Sequence, residues 1–220
     1  MILRGANLRK AHEDYRTPAE PVLALIPHLV DIRVAWVPSD RGGDSVLAAT
    51  LRAHGIETVS TDGDFLTVRE PPAGADAIVD NPPFGRAGTM AVAFAAHALQ
   101  LMPFTALLLP VDFDSARSRT HLFRDCPSFA GRLILLQRIV WFPGGPASPS
   151  ANHMWAIWDA GRDHRSPPIV HYEAESNLPA RRRRHLSLPA SNRWLPSSVA
   201  TERVGRGVTA AVQMKRVKSS

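Results

Sequence analysis

The chain has 220 residues, a single cysteine (Cys126) and a net charge of +6 from 26 Lys and Arg against 20 Asp and Glu. That length fits one domain, or one domain with an extension, and suffices for a sizeable core without disulfides or metals. One cysteine excludes an internal disulfide, no Cys/His spacing suits zinc, and no apolar run approaches the roughly 18 residues of a membrane span. With no signal-peptide core in "MILRGANLRKAHEDY", these features lead us to expect a soluble, cytoplasmic protein without a membrane partner.

The charge is unevenly placed. Residues 1–161 carry 14 Lys/Arg against 16 Asp/Glu, whereas residues 162–220 carry 12 against 4. The positive balance therefore sits in the last quarter of the chain, where "ARRRRH" (180–185) suits a polyanion such as nucleic acid or forms a solvated basic tail.

In chain order, "TPAEPVLALIPHL" has the loose apolar spacing of a helix opened by Thr17 and Pro18. "VAWVP" (34–38) reads as a short buried strand, followed by the polar turn "SDRGGD". "SVLAATLRAHG" (45–55) predicts a helix closed by Gly55. "IETVSTD" (56–62) alternates as a second strand, and "DAIVDNPPF" gives a third that two prolines must end. An Ala-rich helix over 89–102 and a fourth strand, "TALLLPVDF", come next. "HLFRDC" looks helical. "RLILLQRIVWF" and "HMWAIWDA" are two further strands around a Pro/Gly/Ser loop (143–152), with no room for a helix between them.

Alternating strands and helices with near-continuous apolar strands predict a mostly parallel α/β sheet covered on both faces, with an antiparallel C-terminal hairpin. That α/β domain, which the resemblance described below implies is the catalytic one, is expected over 1–161. The Pro-, Ser- and Arg-rich segment 162–220 is expected to be a partly irregular extension.

Ligands of open α/β sheets bind beyond the carboxyl ends of the strands. Three polar clusters fall at such ends: "PSDRGGD", "TDGDF" and "DNPPF". Glycine lets a ligand approach the main chain closely, and a carboxylate ending the next strand can accept ribose hydroxyls.

"NPPF" after a strand resembles the (Asp/Asn)-Pro-Pro-(Tyr/Phe) motif of S-adenosylmethionine-dependent amino-methyltransferases, above all the DNA adenine methyltransferases. "YRTPAEPVLALIPHL", "VPSDRGGDSVLAATLRAHGIETVSTDGDFL" and "NHMWAIWD" resemble further pieces of small bacterial and phage members, in the same order, over roughly residues 14–160. The resemblance implies a Rossmann-like methyltransferase fold and S-adenosylmethionine as cofactor. Its substrate would be DNA, with RNA or a protein glutamine as substrates of relatives carrying the same motif, and a non-catalytic nucleic-acid-binding relative as a further reading.

By the same resemblance, Asn81, Pro82, Pro83 and Phe84 form the catalytic turn. The Asn81 side-chain oxygen and the Pro82 carbonyl accept from the target amine, and Phe84 stacks on a base flipped out of the helix. Tyr15 and Thr17 help hold the methionine end of the cofactor, with Pro38, Gly42 and Gly43 in the glycine turn. Asp62 binds the ribose, and Asp64 and Phe65 meet the cofactor's adenine. Asp64 has a helix N-cap as its alternative. Arg181, Arg182, Arg183 and Arg184 are the candidate phosphate contacts. The chain departs from the pattern at the glycine turn. Val37 stands where the family has an acid, and Arg41 where its first glycine falls. Arg41 either crowds the cofactor or folds outward, and Asp40 and Asp44 are the carboxylates near enough in sequence to substitute for the missing acid.

Overall fold

The computed structural model describes residues 17–141 and 151–174. Tyr15, Phe142 and Arg181–Arg184 lie outside these residues.

Among the described residues, seven strands make one sheet: β1 (Val34–Trp36), β2 (Glu57–Val59), β3 (Ala77–Asp80), β4 (Phe104–Pro110), β5 (Phe129–Ile134), β6 (His153–Asp159) and β7 (Ile169–Tyr172), in the spatial order 2-1-3-4-6-5-7. Pairings are parallel from β2 across to β4 and between β5 and β7, and β6 runs antiparallel to both its neighbours. Every strand but β6 therefore ends at the same edge. This is a Rossmann-like α/β fold, mostly parallel with an antiparallel C-terminal pair.

The α-helices among the described residues are α1 (Ala19–Leu25), α2 (Val46–Ala53) and α3 (Thr89–Leu101). None among the described residues is long and apolar enough to cross a membrane. The N-cap of α2 is Ser45, whose Oγ accepts from Ala48 N at 3.1 Å. Pro103 follows α3 and prevents its continuation. One face of the sheet packs Ala35, Leu108, Leu133 and Trp155 against Leu25, Leu47 and Leu51 of α1 and α2. The other packs Trp36, Ile78, Leu107 and Trp158 against Phe94 and Ala98 of α3 and against Phe65 and Leu122. The central strands bury residues on both faces, which is why they read as unbroken apolar runs. Two buried indoles fix the outer layers: Trp155 Nε1 donates to the Pro21 carbonyl at 2.8 Å, and Trp158 Nε1 to the Leu122 carbonyl at 2.6 Å.

Three expectations shift. β5 begins at Phe129, ahead of "RLILLQRIVWF", and ends at Ile134. Leu135 and Ile139 are apolar because they pack as loop residues into the α1 face, not because the strand continues. "HLFRDC" is not a helix of its own, since the helical turn there is a 3-10 segment over Arg117–Leu122. The expected antiparallel hairpin is β5 with β6, and β6 is its inner strand, lying between β4 and β5. Finally, the sheet runs past residue 161. Ile169–Tyr172 forms β7 on the outer side of β5, and Glu173 accepts from Leu136 N at 3.0 Å beyond the strand ends.

Candidate functional site

The glycine turn leaves β1 with Pro38 buried and Arg41 and Gly42 exposed. Gly42 and Gly43 have φ of +102° and +74°, in the region that side chains disfavour. A Cβ on Gly43 would meet nothing nearer than Ser60 Oγ at 3.7 Å, so the turn leaves room above its backbone and lies beside the end of β2. The Arg41 side chain is exposed, in keeping with an outward fold while the two glycines make the turn.

β2 delivers Asp62 and Asp64, both exposed. Asp64 caps a 3-10 turn, its Oδ1 accepting from Leu66 N at 3.0 Å, so the capping alternative is realised. The Phe65 ring behind it is 7% exposed. It packs 4.2 Å from the Phe94 ring and 5.3 Å from that of Trp36, which anchors this strand end in the core. Trp36 Nε1 also donates to Thr61 Oγ1 at 3.2 Å.

β3 is buried throughout and releases Asn81-Pro82-Pro83-Phe84 at the same edge. Pro82 is buried, and Asn81, Pro83 and Phe84 are half-buried, with Asn81 Oδ1 itself inaccessible to solvent. The Phe84 carbonyl accepts from Met90 N at 3.2 Å, which ties the turn to the start of α3.

The acid that opens "DNPPF", to which the sequence alone gives no role, lies at the centre of this edge. Asp80 is 1% exposed; its Oδ2 accepts from Ser39 N and its Oδ1 from Asn81 N, both at 2.7 Å. Neither Asp40 nor Asp44 is the acid on the glycine-turn backbone at Ser39. Asp40 is occupied with Ser45, accepting from its Oγ at 2.8 Å and its N at 3.2 Å. Arg119 is a second residue that sequence reasoning passed over. It donates to the carbonyls of Phe113 and Ala87, each at 2.9 Å, and so links the segment after β4 to the segment after Phe84. A charge inside an otherwise apolar strand, "AIVD", was the available signal for Asp80; nothing in sequence marks Arg119 among its neighbouring arginines.

Thr17 is buried ahead of α1, but the helix is capped by Pro18 without a side-chain bond, so Thr17 is not its N-cap. His153 is buried at the start of β6 with its ring 5.3 Å from that of Trp141, and burial lowers its pKa. A cavity of about 300 Å³ lies between Pro18, Pro21, Ile139 and Glu173 and shares no lining residue with the glycine turn or Asn81–Phe84.

Three strand ends thus present, side by side, an open glycine turn, two exposed carboxylates and a rigid amide-proline-aromatic turn. No family model and no curated protein matches this sequence. Solved structures do match. One is a provisionally assigned RNA methyltransferase from Pyrococcus horikoshii, at 17% identity over 67% of this chain and 88% of that one, with a TM-score of 0.47. Another is the type I restriction enzyme EcoKI M protein, at 16% identity over 68% and 44%, TM-score 0.42. A third is the 23S rRNA methyltransferase ErmE, at 16% identity over 66% and 70%, TM-score 0.39.

Proposed function

We propose that the chain is an S-adenosylmethionine-dependent methyltransferase acting on the exocyclic amine of adenine in DNA. The observation that carries this reading is the position of Asn81–Phe84 beside the glycine turn, the two bridged by Asp80. The residues fit the cofactor: Gly42 and Gly43 leave their backbone open to it, and Asp62 and Asp64 offer carboxylate oxygens to its ribose and adenine amine. When bound, S-adenosylmethionine supplies a methyl group on a sulfonium.

This chain's part is to make a poor nucleophile attack. An adenine amine is conjugated with its ring. Once the Asn81 amide turns its oxygen, buried in this structure, toward the substrate, that oxygen and the Pro82 carbonyl would accept from the amine and favour the tetrahedral nitrogen whose lone pair is available. The prolines hold these acceptors at low entropic cost. The half-buried Phe84 ring supplies a stacking face for a flipped base, worth on the order of 1–3 kcal/mol. Arg181–Arg184 would add salt-dependent contacts to phosphates.

Incorporation of labelled methyl into DNA by the wild type and by Asn81→Ala tests the assignment. Incorporation by the wild type and its loss in the variant are expected; equal incorporation would remove Asn81 from the mechanism. RNA outcompeting DNA in the same assay would move the substrate to RNA. Calorimetric titration should give micromolar cofactor affinity, about −8 kcal/mol. No heat at millimolar cofactor would leave a nucleic-acid-binding module in place of an enzyme.

A further inference from the structure

Asp80 is a buried acid whose two oxygens serve two chain segments. One holds Ser39 N in the loop leaving β1, and the other holds Asn81 N at the head of Asn-Pro-Pro-Phe. Both contacts are short, as for an ionised acceptor. A strand end needs no charge to turn, and burying a carboxylate is costly unless its bonds do something in return. The strands on either side are uncharged: β1 ends at Trp36 and leads into Val37 and Pro38, and Leu107, the register partner of Asp80, continues into Leu108 and Leu109 on β4. The ionisable group acting on Asp80 is Asp40 of the β1 loop, itself 6% exposed.

Resting on the methyl-transfer reading above, we propose that Asp80 is a positioning residue: its carboxylate locks the β1 loop and Asn81 into one relative placement, so that the cofactor turn and the amine clamp form a single unit. An asparagine at this position would keep the shape but offer only one acceptor, leaving an amide N–H opposed to one of the two backbone N–H groups. Protonation of the acid weakens the same pair of bonds. Burial, with repulsion from Asp40, raises the Asp80 pKa to about 7 against the pull of the Ser39 and Asn81 donors. The unit is therefore firm above neutral pH and loosens below it.

The test follows the Ser39 and Asn81 amide protons by NMR across neutral pH, in the full chain without ligand. Both should titrate together with a midpoint near 7 in the wild type, and neither should titrate in Asp80→Asn. Separate titrations, or none, would overturn the proposal. Asp80→Asn should also lower kcat/KM for methyl transfer roughly tenfold or more and abolish the acid limb of the pH profile. A variant with the wild-type rate and profile would overturn the positioning role. Paired titration in a wild type that binds no cofactor would instead overturn the methyl-transfer reading and leave the coupling of the two loops standing.

Discussion

The Arg119 guanidinium donates to the Ala87 carbonyl at 2.9 Å, and this bond pins the segment following Asn-Pro-Pro-Phe to the segment following β4. Ala87 is held at φ +54°, an uncommon conformation for a residue with a side chain, so the backbone there needs such support. The same guanidinium lies 3.9 Å over the Phe113 ring and fills the space beside Gly88. Arg119→Ala leaves two carbonyls without this donor and should cost about 1–2 kcal/mol of stability. It should also lower methyl transfer by loosening the turn that carries Phe84. Arg119→Lys, which cannot fork to two carbonyls, should fall between the two. Denaturant titration alongside the transfer assay reads both effects, and an alanine variant with wild-type values in each would show the link to be idle.

Gly43 sits at φ +74°, and a Cβ there would make an ordinary contact with Ser60 Oγ at 3.7 Å. Gly43→Ala should therefore cost only the backbone strain, about 1–2 kcal/mol, and leave the fold intact. The new methyl group would project from the turn proposed to receive the cofactor, so calorimetry should show a larger loss in cofactor affinity than denaturation shows in stability. Unchanged affinity would place the cofactor elsewhere.

The Asp80 carboxyl rises from 3.8 to about 7 on folding. Between those values the folded protein holds a proton that the unfolded chain has released, so acidification favours the folded state through this group. The melting temperature of the wild type relative to Asp80→Asn should be highest below about 4, decline as the pH rises through about 7, and stay level above it. A difference that is flat across this range, read by scanning calorimetry, would contradict a titrating Asp80.

β7 joins the sheet in parallel with β5, and Glu173 is 5% exposed with its carboxylate on Leu136 N. A chain ended after residue 161 loses both and uncovers the outer edge of β5. It should melt lower and associate more readily than a chain ended after residue 174. Light scattering and thermal denaturation of the two would compare them directly, and equal behaviour would make β7 dispensable.

Much of the fold was legible because its strands are buried on both faces. "VAW", "AIVD" and "TALLLP" are apolar runs that a parallel interior demands, and their helices carry ordinary stops. The candidate site's placement was legible in part for the same reason: Asn81–Phe84 and the glycine turn are strand ends, and the proline pair marks where a ladder must stop. Asp64 shows the limit, since its side chain caps Leu66 N whatever else its second oxygen does. "IVHY" was not legible as a strand. It is an edge strand whose Ile169, Val170 and Tyr172 stay exposed, so burial never imposed a pattern on it.

Burial and proline act locally, so the alternation of elements, the shared edge at which the strands end and the kinds of residue collected there are written in the order of residues alone. The tertiary structure alone decided that β6 enters between β4 and β5, that Arg119 braces Ala87, and that the acid on the glycine-turn backbone comes from Asp80. Ser39 and Asp80 are 41 positions apart in the chain. They meet because β1 and β3 are paired in register, and a long-range hydrogen bond of that kind leaves no periodicity in the sequence to read.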